Sequence, residues 1–101
     1  MGDAAWKRTE RAIAARLGGE RIPVSGRGRG DAPDIRHERF SLEVKQRRQL
    51  PAWIRDALAQ AKAAARGDQL PVVILHQLGG RHDGDVVLMT LAAFETLAPG
   101  V

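Results

Sequence analysis

The sequence contains no cysteine. That excludes disulfides and thiolate zinc sites, and it disfavours a small extracellular fold held by covalent staples. No apolar run approaches the length of a membrane span, and no signal peptide is expected. The expectation is a soluble, cytoplasmic protein with no membrane partner. Aromatic residues are few, with two Trp, two Phe and no Tyr. Trp6 and Trp53 read as core or interface anchors, ahead of platforms for stacked bases. There is no internal repeat and no low-complexity domain. The glycine-rich stretch lacks the lysine and hydroxyl spacing of a phosphate-cradling P-loop. His37, His76 and His82 are scattered, without metal-ligand spacing, and His76 reads as a satisfied histidine at the end of a buried strand. Asp83 and Asp85 lie in or beside a glycine-rich turn, without the spacing of a calcium loop.

What remains is a chain of 101 residues with 44% hydrophobic and 28% charged residues, ordinary for a globular protein. Its length predicts a single domain over residues 1–101 with a compact layered core and no deep two-domain cleft. A dimer is a natural way to extend so small a surface. The charge is uneven. Residues 1–55 hold 13 Lys/Arg against 7 Asp/Glu, whereas residues 56–101 hold 3 against 5. A basic front half points to a polyanion partner, most simply nucleic acid. The competing account is arginine replacing lysine in a high-GC genome.

Read in order, Ala4–Leu17 is a helix stopped by Gly18-Gly19. Trp6, Ile13 and Leu17 share one face, and Glu10 falls on that face. An inward carboxylate is costly unless compensated. Glu10 either meets such a partner or sits at the stripe's edge, pairing with Lys7. Glu20–Ser25 alternates like an edge strand. Gly26-Arg27-Gly28-Arg29-Gly30 is either a basic loop that grips a phosphate backbone or a solvated connector. Ala32–Arg36 is a second strand, and Phe40–Gln46 the strongest, with Phe40, Leu42 and Val44 on one face and Ser41, Glu43 and Lys45 on the other. Pro51–Arg66 is an alanine-rich helix packing through Ile54, Ala57, Leu58, Ala61 and Ala65. Pro71–His76 reads as a strand buried on both faces. Asp85–Met89 is a strand, and Thr90–Leu97 a short helix capped by Thr90. The expected fold class is α/β, a mixed central β-sheet flanked by helices, with a βαβ crossover between the third and fourth strands.

The chemistry concentrates between Gly30 and Gln46. Asp34 and Glu43, on neighbouring strands, can share one hard divalent cation, and the Val44 carbonyl can add a ligand. Lys45 points to the side of Glu43, where it can orient water or stabilise charge developing on a phosphate. Glu10 can join the same shell. Arg47 and Arg48, directly after this strand, suit phosphate contacts. Gln60 can face the site from the second helix, although a solvated glutamine is the plainer reading.

Pro33-Asp34 followed by Glu43-Val44-Lys45 resembles the PD-(D/E)xK nuclease motif. The run of a helix with Glu10, an Arg-Ile-Pro-x-Ser strand (Arg21–Ser25), a basic glycine-rich loop, Pro-Asp-Ile and a Glu-x-Lys strand is similar to archaeal-type Holliday junction resolvases. The likeness spans roughly Lys7 to Val87. It implies a restriction-endonuclease-like αβββαβ core. It further implies a magnesium-dependent DNA endonuclease, with manganese as a substitute ion. Glu10, Asp34 and Glu43 would be the acidic ligands, Val44 a carbonyl ligand and Lys45 the catalytic lysine, with Ser25 a hydroxyl near the site. Lys7, Arg8, Arg27, Arg29, Arg47 and Arg48 would contact DNA. Such enzymes work as homodimers on four-way junctions, in the cytoplasm of bacteria or of phage-infected hosts. Rival expectations are a restriction, repair or nicking nuclease on duplex DNA, a non-catalytic DNA-binding module, and an adaptor whose basic face meets an acidic protein.

Overall fold

The computed structural model describes residues 4–23 and 32–98. Among these described residues the protein is a small mixed α/β chain with three α-helices and two antiparallel sheets. Its contacts divide it into two compact units, residues 1–48 and 49–100.

In the first unit, helix α1 (Ala5–Leu17) leads into strands β1 (Glu20–Arg21), β2 (Ile35–Arg36) and β3 (Ser41–Leu42). The strands form an antiparallel meander with β2 in the centre. Glu10, Ala14 and Leu17 are the buried residues of α1, at i, i+4 and i+7. The inward face is thus centred on Glu10, while Trp6 lies at its rim, 38% exposed. Leu17, Ile22 and the fully buried Ile35 join Ala14 in the core.

Two glycines make the turn from α1 into the sheet. Gly18 ends the helix at φ 74°, a left-handed conformation that only glycine adopts cheaply. Gly19 has a different reason to lack a side chain. A Cβ there would stand 2.7 Å from Ile35 Cγ2 and 2.8 Å from the Arg36 carbonyl oxygen. The helix end is also tied to β2 by His37. Arg39 N–H donates to His37 Nδ1 at 3.0 Å, so Nε2 carries the proton and donates to the Leu17 carbonyl, also at 3.0 Å. His37 is therefore a clasp on helix carbonyls that would otherwise lack a partner.

The strands are shorter than the sequence predicts. The alternation over 40–46 holds, since Phe40, Leu42 and Val44 are half-buried and Ser41, Glu43 and Lys45 are exposed. Regular pairing nevertheless stops after Leu42. Carrying the register two residues further sets Val44 opposite Pro33, which has no N–H to offer the ladder. The Asp34 carboxylate takes over, and its Oδ2 accepts the Val44 N–H at 2.8 Å.

In the second unit, α2 (Ala52–Ala64) is followed by β4 (Val73–Leu75), β5 (Val86–Leu88) and α3 (Leu91–Leu97). Ile54, Ala57, Leu58, Ala61 and Ala65 are half-buried, as the apolar spacing predicts. Thr90 caps α3, its hydroxyl accepting from Ala93 N–H at 3.2 Å. Strands β4 and β5 pair antiparallel as a hairpin.

Two expectations are corrected here. Among the described residues the strands pair as two antiparallel sheets, β1–β2–β3 and β4–β5, and the parallel pairing expected of a βαβ crossover is not among them. Pairing β4 with its sequence neighbour closes only a short loop, which costs less entropy than a distant partner. Nor is 71–76 buried on both faces. Val73 and Leu75 are half-buried while Val72 and Ile74 are exposed, as befits a hairpin covered on one side.

Candidate functional site

A cleft of about 290 Å³ opens in the first unit, lined by Trp6, Glu10, Asp34, Val44, Lys45, Gln46 and Arg47. Three segments build it. Helix α1 supplies Trp6 and Glu10, the residue before β2 supplies Asp34, and the chain leaving β3 supplies 44–47. The Val44 N–H bond to Asp34 lashes the last segment to the second, which fixes the width of the cleft where the ladder has ended. On the other side, the Thr9 hydroxyl of α1 hydrogen-bonds the Gln46 side-chain oxygen.

Glu10 is only 4% exposed. Its partner is Arg21 on β1, whose Nε donates to Oε1 at 2.7 Å. This is the compensation an inward carboxylate needs, and it comes from the sheet, whereas the sequence offered Lys7 one turn back. The Arg21 guanidinium also lies over the Trp6 ring at 5.5 Å, with the Lys7 ammonium at 5.4 Å from the same ring. The buried Nη2 of Arg21 has no hydrogen-bond partner among the described residues.

The residues expected to act together are partly gathered. Glu10, Asp34, Val44, Lys45 and Arg47 line one cleft. Glu43 is exposed and does not line it, although the register of β2 and β3, carried one residue on, sets Glu43 opposite Asp34. Arg8 and Arg48 are exposed, and Lys7 is half-buried beside Trp6. Ser25, Arg27 and Arg29 lie outside the described residues. Gln60, on α2, is exposed.

Three features were not read from the sequence. Arg21 as the partner of Glu10 needs the pairing of α1 with β1, and nothing in local spacing signals it. Trp6 was read as an anchor but borders the cleft, which its place one turn before Glu10 would allow. The histidines are not all dispersed, because His76 and His82 meet at Asp85 in the second unit.

Chemically, the cleft offers carboxylate oxygens, an amide and an ammonium, with no imidazole or thiolate among its lining. Such a donor set suits a hard cation more than zinc or copper. A carboxylate has about four lone-pair directions; Arg21 Nε takes one on Glu10 and the Val44 N–H takes one on Asp34. Comparison with family models, curated proteins and solved structures returns no match. Among the described residues, no helix is long and apolar enough to cross a membrane.

Proposed function

We propose that this chain is a magnesium-dependent DNA endonuclease of the PD-(D/E)xK kind, with junction-resolving activity as the leading specificity. The observation that carries the reading is the convergence of Glu10, Asp34 and Lys45 on one cleft from three separate segments. The sequence resemblance supports it independently, through Pro33-Asp34 and Glu43-Val44-Lys45. The restriction-endonuclease-like core belongs to this proposal too, supported by the observed order of helix, three strands, helix, strand.

Asp34 and Glu10 would hold the ion, with Glu43 reaching it from the rim. When bound, magnesium polarises a phosphate oxygen and lowers the pKa of a coordinated water. Asp34 is oriented for this by the Val44 N–H. Lys45 stabilises negative charge as it grows on the oxygens of the phosphate under attack. Arg47, at the mouth, the exposed Arg48 and Arg8, and the half-buried Lys7 hold the nucleic-acid backbone. The excess of basic residues in the front half draws DNA in, with an affinity that falls steeply as salt rises. The pairing of two such chains as a homodimer, which a symmetric junction requires, is supported by exposed apolar residues in the second unit.

A second reading has a specific observation behind it. Arg21 already neutralises Glu10, and Glu43 stands off the cleft, as in a DNA-binding module without catalysis. One experiment separates the two. Purified protein is mixed with a labelled four-way junction or a matched linear duplex, with and without magnesium, beside a Lys45→Ala variant. The nuclease reading expects magnesium-dependent cutting, stronger on the junction, that Lys45→Ala loses while binding survives. Tight binding with no cutting by the unaltered protein selects the second reading.

A further inference from the structure

We propose that the closed end of the β4–β5 hairpin is a second metal site, for a borderline divalent transition ion with zinc foremost, held by His76, His82 and Asp85. The proposal does not depend on what the cleft of the first unit does.

The fold assembles these side chains from positions that look unrelated in the sequence. Leu75 pairs with Val86 at the end of the hairpin, so the next cross-strand pair is His76 and Asp85. The chain between them turns back through a short 3₁₀ helix, His82–Gly84, which puts His82 three residues before Asp85 on the same side of the turn. Backbone bonds brace this turn, from Asp85 N–H to the His82 carbonyl and from Gly84 N–H to the Arg81 carbonyl, each 3.0 Å.

The donor atoms are already close. His76 Nδ1 lies 2.6 Å from Asp85 Oδ1, and His82 Nδ1 lies 3.0 Å from Asp85 Oδ2. One ligand atom from each of the three residues falls within 4.8 Å of the others. Bonds of about 2.0–2.1 Å to a tetrahedral ion set neighbouring ligands roughly 3.3 Å apart. A small opening of the hydrogen-bonded pairs, and an approach of the two histidine ligand nitrogens from their present separation of under 4.8 Å, meet that requirement.

Without metal, each imidazole donates Nδ1–H to the carboxylate. With metal, each proton sits on Nε2 instead, and Nδ1 turns its lone pair on the ion. Asp85 is largely buried while the His82 side chain is 85% exposed, so the site has a fixed base and an open door. Three protein ligands leave a fourth position to water. Two imidazoles and one carboxylate favour zinc, cobalt, nickel or copper, and they discriminate against magnesium.

The competing account is a hydrogen-bonded bracket that closes the hairpin and takes up no metal. The test uses the full chain without a polyhistidine tag. Zinc is titrated calorimetrically, and cobalt is followed by its visible absorption, in excess magnesium. The expected result is one zinc per chain, not displaced by magnesium, with binding weakened in His82→Ala by more than the about ten- to hundredfold typical of losing an outer-shell partner. His82 is so exposed that its removal leaves the fold intact. Asp85→Asn, which keeps the shape but loses the charge, should weaken binding in the same sense. His37→Ala should retain full uptake, because that ring is committed to Leu17 and Arg39. No zinc uptake by the unaltered chain, or equal uptake by His82→Ala, overturns the site.

Discussion

The two units bury different things. Residues 1–48 carry 12 Lys/Arg against 7 Asp/Glu, and residues 49–101 carry 4 against 5. The first unit nevertheless holds most of the tightly buried side chains, Ala14, Leu17, Ile22 and Ile35, together with a buried acid, Glu10. In the second, Ala93 and Ala98 are buried, while Leu50, Trp53, Ile74, Leu78, Val86, Val87 and Leu97 are exposed. A charged sequence has made the drier core because a three-stranded meander and one helix close around a few side chains, and the inward charge is paired. In the second unit, Ile74 and Val87 are cross-strand partners on the exposed face of a two-stranded hairpin. Polarity of composition is therefore a poor guide to which part of this protein is dry.

That contrast can be broken at several points. The largest effect should come from Asp34→Asn. It keeps the shape of the side chain but removes the charge a cation needs, and magnesium-dependent cleavage should be lost with the circular dichroism spectrum unchanged. Cutting at the unaltered rate would remove Asp34 from any metal shell.

Next is Arg21→Met, which leaves Glu10 buried without its guanidinium. Breaking such a pair from one side should cost about 3 kcal/mol, read as a lowered urea midpoint. Adding Glu10→Gln should restore part of that loss, since the buried charge is then gone. Equal stability of Arg21→Met and the unaltered protein would mean that Glu10 does not need the pair.

A smaller loss, about 1–3 kcal/mol, is expected for Gly19→Ala, whose new methyl would press on Ile35 and the Arg36 carbonyl. Thermal unfolding reads it directly, and an unchanged midpoint would show that helix and sheet can part there at no cost. The mildest effect on stability belongs to Ile74→Lys, on the exposed side of β4. Folding should change by no more than about 0.5 kcal/mol, while sedimentation should shift toward the monomer if this face joins two chains. An unchanged sedimentation profile would take the hairpin out of any dimer contact.

Local features were legible in the sequence where one physical rule dominates. Helical spacing picked the half-buried face of α2, residue by residue. Thr90 announced its cap, Gly18-Gly19 the end of α1, and strict alternation the two faces of 40–46. The pairing of strands was not legible, because a proline at 33 shortens the ladder and because β4 finds its partner nearby. The His76–His82–Asp85 cluster was missed for the same reason, since its spacing is meaningful only once the hairpin register is known.

The order of elements, the amphipathic faces and the basic front half follow from the chain itself, being consequences of residue type and short-range spacing. Tertiary structure decided that Glu10 meets Arg21, that Asp34 receives the Val44 N–H, and that acid and ammonium share one cleft. Those contacts join residues distant along the chain, and their energies depend on burial and direction, which no local pattern encodes.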